Sequence, residues 1–336
     1  MGRPETELTL ASRHVLVTGA GGFIGSHVVE QLVESGAEVR AFVRYNSRND
    51  YGRLEELHPS VLSAVDVYPG DLANPEAVAG AMSGCDAVLH LGALIPIPYS
   101  YRHPREFMMV NAEGTLNVLE AARRLEVQRI VQVSSSEVYG TAQQVPIAES
   151  HPLHPQSPYA ASKVAADQLA LSYFRSFSLP VVVARPFNTF GPRQSARAVI
   201  PTVIAQALVR DEIELGATQT TRDFLFVADT AAGLIRCATA PAVEGEEINL
   251  GTGEERSIAE VVAEVGVILG RELTIAEMRE RFRPAASEVD RLLADVQLAR
   301  ERLGWSARTP FVQGLEQTVR WLEVSLPSFK PEIYNI

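Results

Sequence analysis

The chain has 336 residues, of which 46% are hydrophobic and 21% charged, the composition of an ordinary soluble globular protein with room for one large or two intimately joined domains. Its net charge of −11 argues against a general nucleic-acid or anionic-membrane surface, because such partners are held by basic fields. The two cysteines, Cys85 and Cys237, form no CxxC pair and have no metal-ligand spacing. Neither a disulfide framework nor a zinc site is expected, and a reducing cytoplasm fits. The opening stretch MGRPETELTLAS carries neither a long apolar run nor a small-residue cleavage site, and nowhere do about 18 apolar residues follow one another. These features predict a soluble, unexported protein with a short, loose N-terminal extension.

From Arg13 onward, short β-branched runs alternate with helical periodicity: RHVLVTG, GFIGSHVVEQLVESG, EVRAFVR, then VDVYPGD and CDAVLHLGA. This alternation predicts a parallel sheet with crossover helices. NAEGTLNVLEAARRLEV reads as an amphipathic helix, RIVQVSSS as a buried strand, SPYAASKVAADQLALSYFRSF as a long helix and LPVVVARPFN as another strand. Residues 1–185 are therefore expected to form a doubly wound, Rossmann-like α/β domain. Residues 186–336, opening with RPFNTFGPRQSARAVIP, are expected to be mainly a smaller, interleaved substrate domain, with 222–252 returning to the first.

VTGAGGFIG places Gly19, Gly22 and Gly25 at the first strand-to-helix turn. Glycines there permit the tight turn, close approach of a pyrophosphate to backbone N–H groups, and close helix–strand packing. Phe23 and Ile24 open the helix beside them. The second strand ends in AFVRYNSRND without an acid at its last position, where an acid would select NAD through the adenosine 2′-hydroxyl. Arg44 and Arg48, with Asn46 and Ser47 between them, favour a 2′-phosphate and hence NADP, the alternative being solvated loop arginines. Asp71, ending the third strand, is a candidate adenine contact or a turn residue. Leu72, Leu91 and Ala93 follow strand ends and are expected to line the same site.

Tyr159 and Lys163 in SPYAASK stand four apart, so on a helix both project from one face. An ammonium beside a phenol lowers the phenol's pKa and lets it act as a base toward an alcohol. With the glycine-rich turn and a strand ending in Ser135, this sequence resembles the extended short-chain dehydrogenase/reductase family, in its NAD-dependent epimerase/dehydratase branch. The resemblance implies a tightly bound, recycled NAD(P)+ and a nucleotide-diphosphate sugar substrate. It also implies a triad in which Tyr159 takes a proton from a sugar hydroxyl, Ser135 hydrogen-bonds the same oxygen, and Lys163 holds the nicotinamide ribose.

Glu137 in VSSSEVYG occupies the place where 4,6-dehydratases of this family carry a base, whereas simple 4-epimerases usually have a small or hydroxyl residue. Ser136 departs from the Asp usual in glucose-nucleotide dehydratases and implies either a proton relay through water or a Glu137 that serves as base and then as acid. Nucleotide-glucuronate decarboxylases carry a similar Ser-Glu pair. Several loops, VRAFVRYNSRND, GALIPIPYSYRHP, SSEVYGTAQQVPI, RPFNTFGPRQSARAVIPTVI and the tail KPEIYNI, are similar to LegB-type dehydratases acting on nucleotide-linked N-acetylglucosamine. By the same likeness Asn188, Arg222 and Arg283 grip the diphosphate and nucleoside, and a homodimer forms through helices at 111–124 and 159–177. Loop 94–103 is expected to close over the site, Asn111 to steady it, and His90 and His103 to have packing or solvent roles; no metal is expected. The expected activity is a UDP- or GDP-N-acetylglucosamine 4,6-dehydratase. A 4-epimerase, a glucuronate decarboxylase and a non-catalytic cofactor-binding regulator stand as alternatives.

Overall fold

Six runs of aliphatic and β-branched residues become the first six strands of one parallel sheet: β1 (His14–Thr18), β2 (Glu38–Arg44), β3 (Val65–Gly70), β4 (Ala87–His90), β5 (Arg129–Val133) and β6 (Val181–Pro186). A seventh strand, Glu247–Leu250, pairs with β6 and completes the order seventh-6-5-4-1-2-3, every pairing parallel. This is a computed structural model, and it describes residues 8–331; the tail likeness in KPEIYNI lies largely outside the described residues. Parallel strands covered on both faces are buried throughout and mainly apolar. β4, β5 and β6 accordingly bury every residue.

Alternate residues along each strand feed two cores. Val15, Val17, Val131, Val182 and Ala184 meet the helix Phe23–Glu34 and the helix Val227–Thr239 on one side. Leu16, Val88, Ile130, Val181 and Val183 meet the helices Pro75–Met82, Gly114–Arg124 and Pro158–Phe177 on the other. The chain thus reverses its winding between β1 and β4, and the crevice at the carboxyl ends of these strands is where such folds place ligands.

The segment after Pro186 builds a third core from Val199–Ala207, Ile258–Leu269 and Phe311–Ser325. Short strands accompany these helices, among them a parallel pair of Glu212–Leu215 with Thr274–Glu277. Two local expectations change. The amphipathic helix predicted from Asn111 begins as a π-turn, Met108–Glu113, before Gly114–Arg124, and loop 94–103 folds into the short helix Ile97–Arg102 behind Pro96. Among the described residues no helix is long and apolar enough to cross a membrane.

Candidate active site

β1 delivers the chain into a turn that only glycine fits. Gly19 has φ +69°, and a Cβ on it would lie 2.8 Å from Gly92 Cα. A Cβ on Gly25 would run into the Gly19 carbonyl oxygen. Gly22 caps Phe23–Glu34 with no side-chain hydrogen bond, so the first-turn N–H groups have no side-chain cap competing with a phosphate. This bare backbone cradle fits a dinucleotide pyrophosphate.

The cradle opens into a cavity of about 1300 Å³. Gly19, Gly22, Phe23, Ile24, Gly25, Arg44, Asn46, Asp71, Leu72, Leu91 and Ala93 line one part of it. Ser135, Ser136, Glu137, Tyr159, Lys163 and Asn188 line the other. Ser47 and Arg48 are not among its walls; the Arg48 side chain is 85% exposed and lies 3.2 Å from Asp50. Asp71 accepts the Ala73 N–H at 2.9 Å, as a turn residue does.

The catalytic candidates come from two elements that meet at the carboxyl end of the sheet. β5 ends at Val133, and the Ser135 hydroxyl accepts the Glu137 N–H at 3.2 Å, capping the 3₁₀ turn Ser136–Tyr139. Opposite, Ser157 caps the long helix by accepting the Ala160 N–H at 3.1 Å, with Pro158 at its first position. Both residues are favoured there. Tyr159 is thereby set in the first turn and Lys163 one turn later, and Lys163 Nζ donates to the Val133 carbonyl at 2.6 Å.

Burial pushes the Tyr159 phenol up to about 12, against a hydrogen bond from Ser135 that lowers it and with Glu137 and Asp167 raising it. Burial brings the Lys163 ammonium down to about 8, opposed by Asp167. The sequence-based expectation is that the ammonium lowers the phenol's pKa; in the structure burial is the largest influence on Tyr159 and acts in the opposite direction. His90, 2% exposed, is held between the Thr18 and Thr115 hydroxyls at 2.6 and 3.1 Å.

Glu137 faces the cavity with 12% of its side chain exposed, and Arg283 stands 3.9 Å from it. Arg283 also lies 3.8 Å from Glu288, and Arg222 lies 3.6 Å from the same carboxylate. Arg222 and Arg283 are not cavity walls; they flank Glu137 together with Glu288. Asn188 lines the cavity, and its Oδ1 is buried with no hydrogen-bond partner among the described residues.

The segment after β4 covers the mouth. Leu94, Ile95, Pro96 and Tyr99 line the cavity, Tyr101 is hydrogen-bonded to Ser287 at 2.6 Å, and Phe107 meets Tyr159 edge-on at 6.3 Å between ring centroids. Asn111 clamps Leu94 through its N–H at 2.7 Å and its carbonyl at 2.9 Å, and donates to Ser162 at 2.9 Å. His103 stacks on Tyr99 at 4.5 Å. Among the described residues no three His, Cys, Asp or Glu side chains converge as a metal site.

The wall residues absent from the sequence-based site include the charged and polar side chains of Asp50, Glu106, Gln194 and Arg197. Asp50 is the informative one. Its loop returns to the glycine turn, where the Tyr51 carbonyl oxygen would lie 2.7 Å from a Cβ on Gly21. The signal was an acid six positions beyond Arg44 rather than at the strand end.

Comparison with known proteins bears on this arrangement. The family model for GDP-mannose 4,6 dehydratase matches residues 16–318. A dTDP-glucose 4,6-dehydratase of Xanthomonas campestris is 33% identical over 91% of this chain and 92% of its own. A UDP-glucose 4-epimerase of Mycolicibacterium smegmatis is 32% identical over 91% and 97%. The structure of DesIV, a dTDP-glucose 4,6-dehydratase from Streptomyces venezuelae with NAD and TYD bound, superposes with a TM-score of 0.82 at 28% identity, covering 95% of this chain and 99% of that one.

Proposed function

We infer, for a chain that belongs to the NAD-dependent epimerase/dehydratase branch of the extended short-chain dehydrogenase/reductase family, that its reaction is the 4,6-dehydration of a nucleotide-linked N-acetylglucosamine, carried by UDP or GDP. The observation that carries this reading is the Glu137 carboxylate, placed on a Ser135-capped turn in the same cavity as Tyr159 and Lys163. An epimerase that only oxidises and reduces C-4 has no use for a second base beside that triad.

Bound along the glycine cradle, NAD would supply the hydride acceptor for C-4 and the hydride donor for C-6, with none consumed. Tyr159 draws the proton from the C-4 hydroxyl, and Ser135 holds the same oxygen. To accept that proton Tyr159 enters the step as the phenolate, having given its own proton to solvent, and the cationic Lys163 one turn along the helix favours that state. The C-4 ketone acidifies C-5, whose proton passes to Glu137. Hydroxide leaves C-6 with one of the two protons, as water, by way of Glu137 or Ser136. The other proton returns to C-5, and the protein ends as it began with a 4-keto-6-deoxy product. We assign the diphosphate to Arg222 and Arg283, which lie outside the cavity wall against Glu137 and Glu288 and would exchange those carboxylates for its oxygens, and we assign Asn188, on the wall itself, to the sugar nucleotide.

NAD is the cofactor we assign over NADP. Asp50 stands in the cavity wall at the glycine turn and would repel a 2′-phosphate, while Arg48 is turned out to solvent against it. We also assign a homodimer, supported by Leu125 and Phe177, which are 41% and 53% exposed at the ends of the packed helices 114–124 and 158–177. Sedimentation at twice the chain mass checks that assignment.

The deciding experiment incubates the protein with UDP-N-acetylglucosamine, or its GDP counterpart, and NAD. Loss of one water by mass spectrometry without net cofactor reduction is expected. A new isomer of unchanged mass makes it an epimerase, and carbon dioxide released from UDP-glucuronate makes it a decarboxylase.

A further inference from the structure

Beneath the catalytic side chains lies a second polar layer that the reaction does not touch. Arg185 on β6 and Asp167 on the helix of Tyr159 and Lys163 both have 0% of their side chains exposed. Charges so buried persist only with partners in place. Arg185 Nη2 donates to Asp167 Oδ2 at 3.4 Å and Nη1 to the Tyr139 hydroxyl at 3.0 Å, and a third bond joins it to Glu247 on the edge strand.

The two arms reach different halves of the site. On one side Asp167 accepts from Ser134 Oγ at 2.6 Å. Ser134 sits between Val133, whose carbonyl holds the Lys163 ammonium, and Ser135. On the other side Tyr139 closes the turn that carries Glu137, and its hydroxyl donates to Asn249 Oδ1 at 2.8 Å. The Arg185 guanidinium lies 5.1 Å from the Tyr139 ring centroid as well.

We propose that Arg185 is a positioning residue that couples the oxidising half of the site to the eliminating half, holding the Tyr159–Lys163 helix through Asp167 and the Glu137 turn through Tyr139. The proposal rests on the dehydratase reading. Its consequence is that cutting one arm injures one half of the reaction. A substitution that merely loosened the core would slow both halves alike.

The experiment is a single turnover in heavy water, using the nucleotide sugar that the wild type turns over. Oxidation at C-4 is read from the near-ultraviolet absorbance of reduced nicotinamide, C-5 deprotonation from deuterium uptake, and elimination from mass. Tyr139→Phe is expected to slow deuterium uptake and water loss by about tenfold to 100-fold while oxidation holds within about twofold. Asp167→Asn is expected to slow oxidation and move its pH profile, leaving the oxidised sugar to lose water as before.

The charged and titratable groups facing Asp167 are Lys163 on its own helix, Arg185 on β6, Glu247 on the edge strand and Tyr159, and Lys163 in turn acts on His90. Arg185→Lys keeps the charge but cannot fork to both arms, and it slows both steps. Ser134→Ala, a milder cut of the first arm, stands in if Asp167→Asn does not retain bound cofactor. Equal slowing of both steps by both single-arm variants, or no change in either step, overturns the coupling. A wild type that oxidises C-4 without losing water overturns the dehydratase reading instead, and the Asp167 arm, read on oxidation alone, still decides its half.

Discussion

Tyr159 is a phenol in a dry place, and its neighbours determine what its removal costs. Tyr159→Phe takes away the only proton acceptor placed at the C-4 hydroxyl in the proposed mechanism, so turnover is expected to fall by about 100-fold to 10,000-fold. The helix cap, the Phe107 contact and the glycine cradle do not use the hydroxyl, so cofactor binding should survive; unchanged turnover would remove Tyr159 from its role. Glu137→Gln keeps the shape of the turn, because it is the Glu137 backbone N–H that Ser135 holds. Oxidation at C-4 should persist while deuterium uptake at C-5 stops, and undiminished dehydration would exonerate the carboxylate. Asp50→Ala should weaken NAD and relax discrimination against NADP, as paired titrations of the two cofactors would show. A preference for NADP in the wild type would reverse the assignment.

At the scale of elements, the catalytic helix is held at its first turn by one hydroxyl. Ser157→Ala leaves the Ala160 N–H without its acceptor and should destabilise the protein by about 1 kcal/mol in urea unfolding. Because Tyr159 sits two residues beyond the cap, the turnover rate should fall by more than the stability loss alone explains. A drop in stability with full activity would show that the first turn is held by packing instead. These elements were legible in the sequence because buried parallel strands are continuous β-branched runs and their crossover helices carry the period of 3.6. Glycines 19, 22 and 25 and the Tyr159–Lys163 spacing were legible for the same reason: each is a local rule. What escaped is long-range. Asp50 reaches the cavity only because Asn46 bonds its loop back to Arg48 and Asp50, and Gly52 turns at φ +66°. The approach of Arg283, itself beside Glu288, to Glu137 joins segments some 150 positions apart. The π-turn at Met108–Glu113 changes the phase of a helix without changing its apolar pattern.

For the whole molecule, acid is the condition that the buried interior tolerates least, and two histidines show why. Burial, then Lys163, lowers His90 to about 3. Burial, then Arg193, lowers His27 to about 4. Unfolded, each titrates near 6.5, so between that value and the folded one the unfolded chain binds more protons and the native state loses stability as pH falls. Above about pH 6.5 both contribute in full. At about pH 5 each has given up about 2 kcal/mol, from 1.36 kcal/mol per pKa unit, a large share of a typical total of about 5–15 kcal/mol. Asp167 and Asp223, raised by burial, act with the opposite sign, so the histidines must be isolated by difference. The double variant His27→Gln with His90→Gln should therefore lose less stability than the wild type between pH 7 and pH 5, by several kcal/mol in urea titrations, whatever its stability at pH 7. Parallel pH slopes for the two proteins would mean that both imidazoles find a way to protonate without leaving the fold.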